Sequence, residues 1–306
     1  MFYEHLPSSR FVVVEVMIGP QPEVPDIRTA GEFCLMVSSA MSRVANIDYA
    51  EPHVDIHSFD LERGTTEFPD PLLTTHRLGK FYLLCGGDFV HTIGLSLLEE
   101  QPKVVSPAVL ARSAAEYSSR SWYISDPEDT VDTRLAKMIK LVGSGLAEAG
   151  FSDPRLDPVD AQFASGFNRW VSQQKQLPKL PKPNYKKLIE LMVPEIGGQE
   201  YDALSGYVHA SAVTVIGAVI GVQLELNSRR LNAWKQVAFA TLGGISAASR
   251  MELLRTGSVS QEVSELSSAW RQLVHSYESV IDRVLPSDGA RIAEADRAFR
   301  DQFPDS

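Results

Sequence analysis

Tyr201, Ser205 and His209 fall four residues apart in "YDALSGYVHAS", directly ahead of the uncharged run "AVTVIGAVIGV". On a helix, residues four and eight apart are rotated by only about 40° and 80°, so the three groups would form one stripe about 12 Å long. An imidazole whose ordinary pKa lies near 6.5 can take or give a proton at neutral pH, and a phenol or hydroxyl beside it can pass that proton on. A carboxylate to orient the imidazole is present in "ARSAAEYSSRSWYI", where Arg112, Glu116 and Arg120 also repeat every four residues. His209, Glu116, Tyr201 and Ser205 are therefore the candidate catalytic residues.

The candidate substrate-binding residues are Arg112, Arg134, Asp88 and His91. Arg112, with Arg134 at the head of "DTRLAKMIKLV", could clamp a carboxylate or phosphate bidentately. Asp88 and His91 are the only acidic or basic side chains of the Asp/Glu/His/Lys/Arg set in "FYLLCGGDFVHTIGLSLL" and lie one turn apart. Stripes facing one another would enclose carboxylates, guanidiniums, imidazoles, a phenol and a hydroxyl in an otherwise apolar interior. The same spacing fits a solvated helix face, or a fully paired network that only fixes helix register. Both readings stay open. Ser205 as a nucleophile is disfavoured, because a serine inside a helix lacks the strained strand-to-helix turn of hydrolases.

The elements that must position these groups are mostly helices. Helical spacing runs over 72–99, 107–124, 130–149, 157–176, 184–193, 200–226, 229–255 and 259–284. Breakers separate them: "SDPEDT" offers Asp126 or Thr130 as N-cap, and "RTGSVSQEV" offers Gly257 as a stop and Ser258 or Ser260 as a restart. The three prolines of "QLPKLPKPN" exclude a helix over 176–184 and favour an extended connection. Ahead of the bundle, "FVVVEVMI" (11–18) reads as β, "RTAGEFCLMVSSAMSRVANI" as helical, and a Pro- and Asp-rich stretch follows. The expected fold is all-α: an antiparallel helical bundle over 71–290, a small mixed α/β N-terminal region over 1–70, and a C-terminal tail over 291–306.

The formal net charge of -10 gives no global positive field to attract a phosphate backbone, so nucleic acid is not an expected partner. Two cysteines, Cys34 and Cys85, without CxxC spacing argue against a disulfide framework or structural zinc and for a reducing cytoplasm. The N-terminus lacks signal-peptide organisation, and the uncharged stretches fall short of the roughly 20 apolar residues of a membrane span. No membrane association, cofactor or metal is expected.

Three pieces of the chain together resemble a group of bacterial all-helical proteins loosely similar to the HEPN superfamily. They are "GGDFVHTIGLSLL", the Arg-x3-Glu segment "ARSAAEYSSRSWYISDPEDTVDTR" with its downstream Arg, and the Tyr-x2-Leu-Ser-x3-His signature of "YDALSGYVHAS". The likeness spans roughly residues 72–260 and implies a helical bundle. Ribonuclease members of that superfamily carry Arg, four to six residues, then His. Here His209 has no such Arg, and Arg271 and His275 are separated by only three residues.

Other signals point elsewhere. "HVDIH" puts His53 and His57 four apart, but the alternation with Val54 and Ile56 reads as strand or loop rather than a metal-binding helix face. Gly143 and Gly145 in "LVGSGLAEAG" lie in a helical pattern, which suits close packing or fraying rather than a dinucleotide loop. Arg229, Arg230, Trp234 and Lys235 form a small basic and aromatic patch, read first as a solvated helix face. Val263, Leu266, Trp270, Leu273, Tyr277, Ile281 and Leu285 approach a heptad seam, which suits core packing or a homodimer. The expectation is a helical bundle whose polar pocket binds or acts on a small anionic metabolite or nucleotide by acid/base chemistry. The alternative is a non-enzymatic interaction or dimerisation module whose polar cluster is structural.

Overall fold

Ala30, Phe33, Cys34, Val37, Met41 and Val44 recur at intervals of three and four and are all buried, which makes Ile27–Ala45 (α1) an amphipathic helix with one face in the core. The computed structural model describes residues 27–100, 105–149, 158–209, 211, 212, 214, 216 and 227–272. The further helices are Ile56–Arg63 (α2), Pro71–Leu98 (α3), Val105–Ile124 (α4), Val131–Ala149 (α5), Pro158–Gln173 (α6), Tyr185–Met192 (α7), Gly197–Val208 (α8) and Asn227–Thr256 (α9). A helical stretch over 261–272 follows. No strand occurs among the described residues, and the fold is all-α. The expected β segment 11–18 and the tail 291–306 lie outside them.

α1, α3, α4 and α9 build one core, joined by Ile189 and Met192 of α7, Leu204 of α8 and Val263, Leu266 and Trp270 of the last stretch. α1 thus shares the main core with the helices after residue 70. A second core gathers Leu135, Met138 and Leu141 of α5 and Phe167 and Trp170 of α6 around Phe68 and Ile124. Burial of such side chains contributes roughly 1.5–3 kcal/mol each.

α1 and α3 run antiparallel at a very short separation. A Cβ added at Gly31 would come within 2.9 Å of the Gly94 carbonyl oxygen, and one added at Gly94 would come as near to that of Gly31. α3 and α4 are also antiparallel, since Gly79 lies against Ser125 and Gly86 against Ser118. α9 differs from the expected up-and-down pattern. Its Gly243 lies against Ala115 and its Arg250 reaches the Trp122 carbonyl, so it runs parallel to α4.

The helix ends are satisfied by identifiable groups. Asp60, within α2, accepts from the Leu72 and Leu73 amides at 2.7 and 3.0 Å and so caps α3, whose own Asp70 makes no side-chain cap. Thr130 caps α5 through the Thr133 amide, Asn184 caps α7 through the Lys187 amide, and Gly257 ends α9 at φ 76°. Arg255 donates to the carbonyls of Val44, Ala45 and Ile47 at 3.4, 3.1 and 2.9 Å and to that of His76 at 3.5 Å. One guanidinium thereby ties the end of α1 to α3 and α9.

Two expectations about helix extent are corrected. The single helix expected over 200–226 ends at Val208, where the His209 amide donates back to Ser205 and residues 209 and 211 are non-helical. The Pro- and Asp-rich stretch before residue 70 contains α2, because the Asp55 side chain accepts from the Ser58 amide and starts a helix. α3 is long and apolar enough to cross a membrane by length and composition, although 44% of that window is buried inside the fold.

Candidate functional site

The Arg112, Glu116 and Arg120 stripe of α4 faces α7 and α8, and the only candidate catalytic residue from another helix that reaches it is Tyr201. Arg112 donates Nε to Glu116 Oε1 at 3.1 Å and Nη2 to the Tyr201 hydroxyl at 3.1 Å. Tyr201 donates its phenol proton to the same Glu116 oxygen at 3.0 Å, which closes a three-membered ring of hydrogen bonds. Arg120 approaches Glu116 Oε2 at 3.8 Å and donates to the Glu116 carbonyl at 2.8 Å. The guanidinium of Arg112 lies 4.8 Å from the Tyr201 ring centroid, and that of Arg120 lies 3.8 Å from the Tyr185 centroid.

The cluster is half-buried, so its charges are shielded from water only in part. Burial pushes the Tyr201 phenol above its ordinary range, so at neutral pH it keeps the proton it donates. Burial alone pulls the Arg112 guanidinium down, but Tyr201 and Glu116 together lift it above its usual value. Two guanidiniums stand against one carboxylate, leaving one net positive charge. Among the described residues the buried Nη1 of Arg112 has no acceptor.

The remaining expected members are elsewhere. His209 is exposed at the C-terminal cap of α8, one residue past the helix end, so the inward stripe stops before it reaches the imidazole. Ser205 turns its hydroxyl along its own helix to the Tyr201 carbonyl at 2.7 Å. Asp88 is exposed on the outer side of α3, and His91 is half-buried with Nδ1 3.5 Å from Ser38 Oγ on α1. Arg134 is buried in a different cluster. Helical spacing put Arg112, Glu116 and Arg120 on one face of α4, but it carried no information about which helices are neighbours.

No family model, curated protein or solved structure matches the chain.

Arg134 belongs to a network that the spacing of charges did not suggest. Its Nη2 is paired with Glu51 Oε2, its Nη1 donates to the Asp129 carbonyl at 2.6 Å, and His76 Nε2 lies 2.8 Å from Glu51 Oε1. The side chains of Glu51, His76 and Arg134 are all at least 95% shielded. His76 did carry a signal: it lies four residues after Leu72 and seven before Leu83, on the apolar face of α3. Glu51 carried none, because it sits in a loop without periodicity.

Beside this network lies a hollow of about 510 Å³ lined by Tyr49, Glu51, His57, Asp60 and Asp70 among others. Its wall is acidic, opposite in sign to the Arg112 cluster. His53 and His57 are both exposed, and no group of three His, Cys, Asp or Glu side chains among the described residues could hold a metal. Cys34 is buried and burial pushes its thiol up, while Cys85 is half-buried; both are free.

The weaker sequence signals divide similarly. Trp234 is buried and Lys235 is paired with Glu200, so neither forms an exposed basic surface. Gly143 and Gly145 have open space where a Cβ would go, so close packing is not their role. Val263, Leu266 and Trp270 are buried, with the Trp270 indole donating to the Ala238 carbonyl at 3.0 Å, so these three serve the core. The rest of that seam, from Leu273 onward, lies outside the described residues.

Proposed function

We propose that this helical bundle binds a small anionic metabolite or nucleotide at the cluster formed by Arg112, Glu116, Arg120 and Tyr201. The observation that carries this reading is the charge imbalance: two guanidiniums converge on one carboxylate, and one buried N–H of Arg112 has no acceptor among the described residues. An incoming carboxylate or phosphate would supply that acceptor, and Arg side chains offer it planar bidentate geometry. The rings of Tyr185 and Tyr201, already under the guanidiniums, provide flat faces for a planar ligand. With His209 in solvent, Glu116 is the remaining proton acceptor, and it is engaged by Tyr201 and Arg112. The reading is therefore binding rather than acid/base catalysis.

Calorimetric titration with inorganic phosphate and with a nucleoside monophosphate at low salt tests this. The expected result is saturable binding that weakens about 10- to 100-fold in Arg112→Met, the loss of one charge-assisted contact. Absence of binding by the parent protein to either probe, or binding untouched by Arg112→Met, would sink it. A structural role for the cluster has one observation in its favour, since the Glu116 carboxylate already accepts from Arg112 and Tyr201 and is ion-paired with Arg120. That reading expects Arg112→Met to lower the melting temperature with no ligand dependence.

A further inference from the structure

Arg112 and Arg120 use their guanidiniums differently. Arg112 commits the edge formed by Nε and Nη2 to the fold, donating to Glu116 and to the Tyr201 hydroxyl. Arg120 works through Nη1 alone, which donates to the Glu116 carbonyl and approaches the Glu116 carboxylate at 3.8 Å. The Nε and Nη2 of Arg120 donate to no described residue, and unlike Arg112 Nη1 neither is shut away from water without a partner. Those two N–H bonds run parallel, the geometry that matches both oxygens of one carboxylate. The Tyr185 ring, 3.8 Å from the guanidinium carbon, covers one face and holds its plane.

A row of rings stands beside this guanidinium. The Tyr117 centroid is 5.7 Å from it, and Tyr117 in turn lies 5.5 Å from Phe89 and 6.1 Å from Tyr82. All three rings are half-buried. Phe89 and Tyr82 pack against the main and second cores, whereas Tyr117 belongs to neither. Its phenol makes no hydrogen bond to a described residue, nor do those of Tyr82 and Tyr185.

We propose that the ligand of this site is an aromatic monocarboxylic acid, its carboxylate gripped by Nε and Nη2 of Arg120 and its ring laid against Tyr117. The inference rests on the anion-binding reading above and narrows it. Two guanidiniums and Glu116 leave one net positive charge, which a single carboxylate neutralises. Attraction to that charge grows in proportion to the charge of the ligand, whereas the cost of taking the ligand out of water grows with its square. A phosphate monoester of about −1.5 to −2 would therefore be harder to desolvate and would leave excess negative charge beside Glu116. The ring partner is chosen by Tyr117, because a second aromatic ring packed on it gains about two- to tenfold over a saturated ring of equal area.

Calorimetric titration of the full chain at low salt and neutral pH with benzoate, cyclohexanecarboxylate, phenyl phosphate and inorganic phosphate tests this, with circular dichroism as the control for folding of each variant. Benzoate is expected to bind about five- to tenfold more tightly than cyclohexanecarboxylate, which has the same charge and nearly the same size, and more tightly than phenyl phosphate. Arg120→Met should abolish benzoate binding. Tyr117→Leu should bring benzoate and cyclohexanecarboxylate to within about twofold of each other while leaving inorganic phosphate unaffected. Equal binding of the two carboxylates by the parent, tighter binding of phenyl phosphate, or a Tyr117→Leu variant that keeps the parent's preference would each overturn the inference. Phosphate binding that still weakens in Arg112→Met would in those cases leave the broader anion reading standing, and a parent protein that binds none of the four probes would remove both.

Discussion

The hydroxyl of Tyr201 on α8 and the Oε1 atom of Glu116 on α4 are hydrogen-bonded at 3.0 Å across 85 positions of sequence. Arg112 donates to both. Replacing Tyr201 by Phe removes both the hydrogen bond donated to Glu116 and the one accepted from Arg112 while preserving the ring, and is expected to lower stability by about 1.5–3 kcal/mol. Urea unfolding measures the loss, and amide exchange should show it as faster opening of α8. His209→Ala, at an exposed cap, should stay within about 0.5 kcal/mol of the parent.

Glu51→Gln should be considerably worse. The substitution leaves the buried guanidinium of Arg134 without its counter-charge and alters the partner of His76. Breaking a buried pair by removing one member costs about 3–5 kcal/mol. The expected outcome is a large drop in the urea midpoint at unchanged slope.

Gly94→Val tests the crossing of α1 and α3. The added Cβ would stand 2.9 Å from the Gly31 carbonyl oxygen, a backbone atom that cannot rotate away. Overpacking of this kind is expected to destabilise by about 1–3 kcal/mol or more. Gly143→Ala, where nothing lies within 4 Å of the new Cβ, should instead stabilise by up to about 1 kcal/mol by removing a helix-interior glycine.

Glu200 gives a pH dependence with a definite sign. Burial raises its carboxyl above the ordinary range, and the ion pair with Lys235 only partly opposes this. In the window between the unfolded and folded values the native state holds the extra proton, so stability falls as pH rises through that window. Relative to Glu200→Gln, the parent protein should gain stability as pH is lowered from neutral toward the ordinary glutamate range. Thermal melts of both proteins at several pH values measure the difference, and an unchanged difference would show that the buried carboxyl does not titrate there.

The helices were legible in the sequence because their apolar periodicity is strong and their breakers are specific. Gly257, Thr130 and Asn184 act where turn and cap chemistry places them. That Arg112 and Glu116 share one face of α4 was legible because four-residue spacing fixes it, but that α8 brings Tyr201 to that face was not. The end of α8 was not, since His209 continues an apolar pattern and the stop is set by local backbone geometry. Glu51 and Asp60 were also hidden. Each acts from before α3 on groups far along the chain, and one-dimensional spacing says nothing about such pairings. Asp88 and His91 were noticed for being polar in an apolar helix, but that Asp88 looks outward while His91 lies against Ser38 of α1 could be assigned only once the neighbours of α3 were known.

Arg255 has a wider effect than its modest bond lengths suggest. Because a single side chain grips carbonyls at the close of α1 and within α3 while standing near the close of α9, fraying at any of these three rods releases a guanidinium that the other two depend on. Loosening there should spread through the main core as one event, so the three ends ought to melt together rather than peel away in turn.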